Sequence, residues 1–335
     1  MMNQPRLGLC CAFQHEPIQF RTTTAAATLR RTRAEQLRRF AEIAQQNTAS
    51  LRTALEFCAA NGIGCFRVVS QILPLRTHPA VGYAVADLPD AASIIAAFRE
   101  CGRVARELNV RLTFHPDQFT VLNSPDPRVV RNSIAELEYQ AEVAEWIGAD
   151  VLTVHGGGAY GDRNAALDRL RSTIRSLPRA VRSRIALEND DRVFSPADLL
   201  PLCEAENVPF VYDVHHHRCL PDGLSVTEAT SRALSTWPRE PLFHLSSPAG
   251  GWRAVDPRVH ADFINPRDFP RAWRDLAITV EIEARAKETA VLRLKQSLSG
   301  AKSPHPSPVG PPGPEESAPS RRRHASSRPI LQRCR

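Results

Sequence analysis

The residues of this chain best suited to binding a cation or moving a proton fall at the ends of short apolar runs. Segments 66–78, 112–118, 151–155, 185–189, 210–217, 242–247 and 278–283 are apolar or β-branched stretches that lead into His, Asp or Glu. The candidates, in order, are His115 in Phe-His-Pro-Asp-Gln, His155 before Gly156-Gly157-Gly158, Glu188 in Leu-Glu-Asn-Asp, Asp213 and His216, His244, His260 and Glu283. One strand-end histidine alone is most often a hydrogen-bonded structural residue. Several on consecutive strands are different, because clustered imidazoles and carboxylates leave costly desolvated charge that a metal ion resolves. Mixed His and carboxylate ligation suits Zn²⁺ or Mn²⁺ and argues against thiolate-bound clusters. With two or three ions in one cup, the natural chemistry is attack of a metal-held hydroxide on a phosphodiester, with no organic cofactor. A sugar isomerase working through a bridging metal pair competes for the same residues.

In Asp213-Val-His-His-His217, three adjacent histidines cannot share one pocket, since alternate residues at a strand end point to opposite sides. Asp213 and one histidine are expected to ligate, another lying behind the ligands or in solvent. The three glycines after His155 permit close backbone approach to a ligand, and equally describe a plain loop.

The elements that must position these residues follow a repeat. An apolar segment over 6–12 precedes a helix over 28–61 that Asn61-Gly62 stops. Strands over 65–72, 111–115, 150–155, 183–188, 209–214, 241–245 and 277–283 then alternate with helical patterns over 91–108, 128–147, 164–179, 196–206 and 225–235 and a short helix near 266–276. Eight strands with intervening helices predict an α/β fold, a closed (β/α)₈ TIM barrel, whose strand ends all open on one face. An open doubly wound sheet is the runner-up, disfavoured because no glycine-rich phosphate loop follows the first strand.

Of the formal charge of +7, seven Lys or Arg against two Glu beyond residue 299 account for +5, leaving about +2 elsewhere. Charge is thus minor support for a polyanion partner. Residues 1–298 are read as the barrel domain and 299–335, rich in Pro, Ser and Arg, as a disordered basic tail that could add nonspecific DNA affinity through Arg321, Arg322 and Arg323. Eight cysteines without a Cys-x-x-Cys pair read as reduced thiols, mostly buried. No apolar run approaches membrane length and no secretory signal opens the chain, so the expected location is cytoplasmic, with nucleoid association in a bacterium.

The chain resembles the UV damage endonuclease family, relatives of endonuclease IV among the xylose isomerase-like barrels. The resemblance spans 6–294 and rests on Leu7-Gly8, Phe66-Arg67, Leu73-Pro74, His78-Pro79, His115-Pro116-Asp117-Gln118-Phe119, Asn123-Ser124-Pro125, His155 through Gly161, Leu187-Glu188-Asn189-Asp190, Asp213 through His216, His244 through Ser247, His260 through Phe263 and Glu283 through Glu288. It implies a trinuclear site, usually activated by Mn²⁺, and incision of damaged double-stranded DNA immediately 5′ of a UV photoproduct, leaving a 3′ hydroxyl. It puts His115 and His155 on one metal, with Glu188 bridging to a second completed by Asp213, His244 and Glu283, and His216 and His260 on the third. His78 would lie near the scissile phosphate, Gln118 would probe the damaged bases, and Asn189 would join Gln118 and Phe119 in substrate binding.

Four positions depart from the family pattern. Leu9 and Phe13 stand where a tyrosine and an asparagine serve near the lesion, Phe119 replaces a tyrosine, and Leu242 replaces a lysine that can be modified to a carboxylate near the metals. Leu9 and Phe13 can wedge into a base stack or else belong to the core. A lesion-binding protein with weakened catalysis is the reading that the loss at Leu242 prompts. A monomer is the default expectation, since a repair nuclease approaches a long duplex from one side.

Overall fold

Parallel pairing runs unbroken around the molecule: in the computed structural model, which describes residues 4–300, eight strands close into a barrel in sequence order. They are β1 Arg6–Cys10, β2 Cys65–Val68, β3 Arg111–Phe114, β4 Val151–His155, β5 Ile185–Glu188, β6 Phe210–Asp213, β7 Leu242–Leu245 and β8 Thr279–Ile282. Around them lie α1 Ala25–Leu29, α2 Arg33–Ala60, α3 Ala91–Glu107, α4 Pro127–Ile147, α5 Arg163–Ser176, α6 Arg179–Arg182, α7 Pro196–Glu206, α8 Val214–Cys219, α9 Val226–Ser235 and α10 Lys287–Leu298. The predicted barrel is therefore the observed one. Its 301–335 extension, most of the expected tail, lies outside the described residues.

Three elements differ from expectation. The helix over 28–61 is two helices, because Thr32 and Glu35 form a reciprocal capping box that starts α2 afresh. Only a single 3₁₀ turn, Arg271–Trp273, stands in the 266–276 stretch. The histidine run is not strand: Asp213 accepts from the His216 amide and caps α8.

Strand parity sorts the side chains. A Cβ on Gly8 would meet Cys65 Cβ and Glu281 Cγ at 3.1 Å, so Gly8 faces the barrel interior and Leu9 the helices. Val151, Ala186, Val211 and Leu242 form an inner apolar floor with Trp237, separate from the large core between strands and helices. Below that floor Asp150 accepts from Arg111 at 2.8 Å and Arg239 at 3.0 Å. Both guanidiniums lie over the Trp237 ring. Polar pairing thus seals the end of the barrel remote from the histidines. No described helix is long and apolar enough to cross a membrane, and the described cysteines form no disulfide.

The outer layer is set by close helix contact. A Cβ on Gly102 of α3 would sit 2.7 Å from the Ile147 carbonyl oxygen of α4, a backbone group that cannot yield cheaply. Gly102→Ala is expected to destabilise the fold by about 1–3 kcal/mol, read from the denaturant midpoint, as overpacked cores do.

Candidate metal centre

The C-terminal strand ends converge on Glu188, whose carboxylate is fully buried at the tip of β5. His115 Nε2 stands 2.8 Å from its Oε2, and His244 Nδ1 2.9 Å from its Oε1. His155 Nδ1 and His216 Nδ1 approach it at 3.7 and 3.4 Å. Three overlapping donor groups result, each with its ligand atoms within 4.8 Å of one another: His115, His155 and Glu188; His115, His244 and Glu283; and Glu188, Asp213 and His216.

Seven of the eight residues expected as ligands thus meet in one cup. Glu188 and Asp213 fall in one group as expected, but with His216, while His244 and Glu283 group with His115. His260, the eighth, brings Nδ1 to 3.8 Å from Glu283 Oε2 without joining a group. It is held by an antiparallel bridge to Pro248 at the base of the loop after β7. The other two histidines of the run are buried, and neither is in solvent: His217 lies between the Tyr212 hydroxyl at 2.7 Å and Asp222 at 2.9 Å, and His215 packs between Trp252 and His260.

The residues present fit metal ions. His155 Nδ1 and Asp213 Oδ2 are buried without a hydrogen-bond partner, a costly condition that a bound cation would relieve. The donors are imidazoles and carboxylates, a set that suits Zn²⁺ or Mn²⁺. Burial lowers the His155 pKa to about 4 and also lowers that of His260, favouring the neutral imidazoles that ligate. Burial opposes the charged forms of His216 and His244 as well, but Asp213, Glu188 and Glu283 together outweigh it at His216, and Glu188 with Glu281 brings His244 up to about 10. Burial likewise opposes ionisation of Glu188, yet His244 and His155 hold its carboxyl well below the ordinary range.

Below the cup lies a network that the sequence reading passed over. Arg67, buried inside the barrel, donates to Glu281 Oε2 at 2.5 Å and to Glu283 Oε1 at 2.7 Å. Glu281, the registered neighbour of His244 across β7 and β8, also accepts from Thr113. Leu242 shares the inward face with His244 but lies in the apolar floor, so the carboxylate beneath His244 comes from β8. The available signal was parity: Glu281 lies two residues before Glu283 and so faces the same way.

The expected substrate residues divide. Gln118 and Phe119 project from a turn in which Asp117 accepts the Phe119 amide at 3.0 Å and its carbonyl the Thr120 amide at 2.8 Å, leaving Phe119 72% exposed. His78 sits half-buried in the loop after β2, its Nδ1 accepting from the Ala80 amide at 3.2 Å, without a described hydrogen bond to the cup. Leu9 and Phe13 follow their core alternative, and Asn189 is held by the backbone. Leu9 is fully buried against the helices, on the outward face of β1, and cannot reach a base stack. Phe13 is committed to Phe57 and Phe66, at ring separations of 5.3 and 5.9 Å. Asn189 is fully buried and spends its amide on Asp213, donating to its carbonyl at 2.9 Å and accepting its N–H at 3.0 Å, so it ties β5 to β6. The glycine run also turns inward: a Cβ on Gly157, at φ +84°, would strike Asn123 Oδ1, and Asn123 brackets Gly158 through both its N–H and its carbonyl.

On the same open face, the loop after β7 lifts Trp252, Val255 and Val259 outward, Val255 without cover. Its base is fixed where Trp252 Nε1 donates to Asp268 at 2.8 Å and Ala249 N to the Val259 carbonyl at 2.7 Å.

Known proteins match this architecture at two levels. Endonuclease IV from Thermus thermophilus superposes with a TM-score of 0.56 at 17% identity over 89% of this chain and 98% of that one, and a D-psicose 3-epimerase from Clostridium cellulolyticum with 0.54 at 14% over 88% and 97%; both show the fold alone. A crystal structure named SacUVDE superposes with a TM-score of 0.79 at 27% identity, over 88% of this chain and 98% of that one. The UV DNA damage endonuclease of Deinococcus radiodurans is 36% identical over 303 residues, 87% of this chain and 95% of that protein. That of Bacillus velezensis is 32% identical over 306 residues, 86% and 91%. The family model described as UV-endonuclease UvdE matches residues 5–307, spanning every strand of the barrel and every residue of the cup, and the chain belongs to that family.

Proposed function

We propose that this chain is a metal-dependent DNA repair endonuclease that hydrolyses the phosphodiester immediately 5′ of UV photoproducts and leaves a 3′ hydroxyl. The observation that carries the metal-dependent part is the overlap of three donor groups in one cup, two of them containing Glu188, with two donor atoms left unpartnered there. Bound divalent ions, Mn²⁺ in the reading favoured by the family resemblance, would supply a hydroxide at neutral pH and neutralise the phosphate oxygens. Ligation would fall to His115, His155, Glu188, Asp213, His216, His244 and Glu283, with His260 at the rim.

The protein's own residues have separable tasks. Glu188, buried and anionic among imidazoles, fixes the centre of the cup. His78 would face the phosphate from the loop after β2. Gln118 and Phe119, presented on a hydrogen-bonded turn, would enter the duplex at the lesion, Phe119 offering a stacking face without a hydroxyl. With Leu9 in the core and Phe13 packed partly buried against it, lesion recognition by this reading rests on that turn. A DNA substrate rather than a free sugar is favoured by family membership, since the fold also serves epimerases.

A labelled duplex carrying one cyclobutane dimer tests the reading. The expected result is a nick directly 5′ of the dimer that requires metal and is lost in Glu188→Ala; no nick by the metal-loaded protein contradicts it. Phe119→Ala should weaken binding to damaged duplex by about 1–3 kcal/mol, the range for loss of one base–aromatic stack. Metal binding should also expel protons, because His216 and His244 hold theirs above the ordinary histidine pKa in the metal-free protein. Affinity should therefore rise with pH until His244 titrates near about 10. Calorimetry in buffers of different ionisation enthalpy measures the release, and heats independent of buffer would count against it.

A further inference from the structure

His244 is fully buried, and its two ring nitrogens face different surroundings. Nδ1 looks into the cup, 2.9 Å from Glu188 Oε1 and 3.6 Å from Glu283 Oε1. Nε2 looks down into the barrel and has two neighbours, Arg67 Nη2 at 2.9 Å and Glu281 Oε2 at 3.1 Å. Once metal binding has taken one proton from the ring, those neighbours demand opposite tautomers. A guanidinium only donates, so pairing with Arg67 needs a lone pair on Nε2 and puts the proton on Nδ1, where it would be spent on Glu188. A carboxylate only accepts, so pairing with Glu281 needs the proton on Nε2 and leaves the Nδ1 lone pair free for a cation.

We propose that Glu281 is a positioning residue of the metal centre: it takes the Nε2–H of His244 and so selects the tautomer that offers Nδ1 to the metal. The carboxylate is built for that task. It is fully buried, in register with His244 on the neighbouring strand, and fixed by Arg67 Nε at 2.5 Å, the Thr113 hydroxyl and Cys65 Sγ at 3.8 Å. The same Glu281 oxygen that faces Nε2 also accepts from Arg67 Nε, so the guanidinium that competes for Nε2 through Nη2 is anchored to its rival. Metal-bound histidines commonly donate their second N–H to a carboxylate in this way, which fixes the ring and raises its basicity. Here the carboxylate lies inside the barrel, shielded from solvent by the apolar floor below and the cup above.

The inference rests on the metal-centre reading, and the experiment separates the two. Metal-free full-length protein is titrated with Zn²⁺ against a chromophoric chelator, comparing wild type, Glu281→Gln and Glu281→Met. The expected result is a loss of about 10–100-fold in the weakest zinc affinity for Glu281→Met, as for other outer-shell partners. Glu281→Gln, whose amide oxygen still accepts, should fall between Glu281→Met and wild type. A folded Glu281→Met protein that binds zinc like wild type overturns the proposal and leaves the metal centre standing. A wild-type protein that binds no zinc removes the metal centre itself. The wild type also gives a readout independent of any variant: in ¹⁵N-histidine-labelled, zinc-loaded protein the His244 proton should reside on Nε2, and a proton on Nδ1 overturns the assignment.

Discussion

One buried carboxylate organises the open end of this barrel. Glu188 has no solvent exposure, and an unpaired anion so placed would cost several kcal/mol or more. The chain places imidazoles from β3, β4, α8 and β7 around it. Further carboxylates balance the imidazoles: Asp213 shares Nδ1 of His216 with Glu188, and Glu281 faces the far nitrogen, Nε2, of His244. Positive and negative groups are thus interleaved through the cup. Removing any one member leaves its neighbour as an uncompensated buried polar group.

The barrel interior is layered accordingly. A sealed end of Asp150 with Arg111 and Arg239 is followed by the apolar floor that contains Leu242, then by the Arg67–Glu281 pair, and last by the cup. The floor blocks water from that end, and the ion pair above it sets the orientation of His244. Charged residues in a barrel core cost stability, and above the floor Arg67 and Glu281 both touch His244 of the cup. The lengths of the loops follow the same division of labour: His260 enters on the long excursion after β7, and Gln118 and Phe119 on a tight turn after β3.

Much of this was legible in the sequence because the two periods involved are short. The βα repeat and the strand-end ligands needed only hydrophobic runs and the rule that parallel strands open on one face, and seven of the eight expected ligands share donor groups for that reason. Direction within a strand was harder. Leu9 was open to a core or a DNA-facing place in the sequence, and the inward face of Gly8 turns it to the helices. Asn189 was misread because its side chain leaves the cup to bridge β5 and β6, a contact no local pattern encodes. The histidine run changed meaning once Asp213 capped a helix, since helical spacing carries His216 to the cup and buries its neighbours elsewhere. Arg67 and Glu281 were visible as charged residues on inward parity, but their pairing joins positions 214 residues apart.

The most direct measurement is anomalous diffraction from crystals of the full-length protein grown with Mn²⁺. The account predicts metal peaks within the cup, bonded to Glu188 and to donors drawn from His115, His155, Asp213, His216, His244 and Glu283. Absence of any peak within bonding distance of Glu188, with the protein folded and the metal in excess, would contradict it.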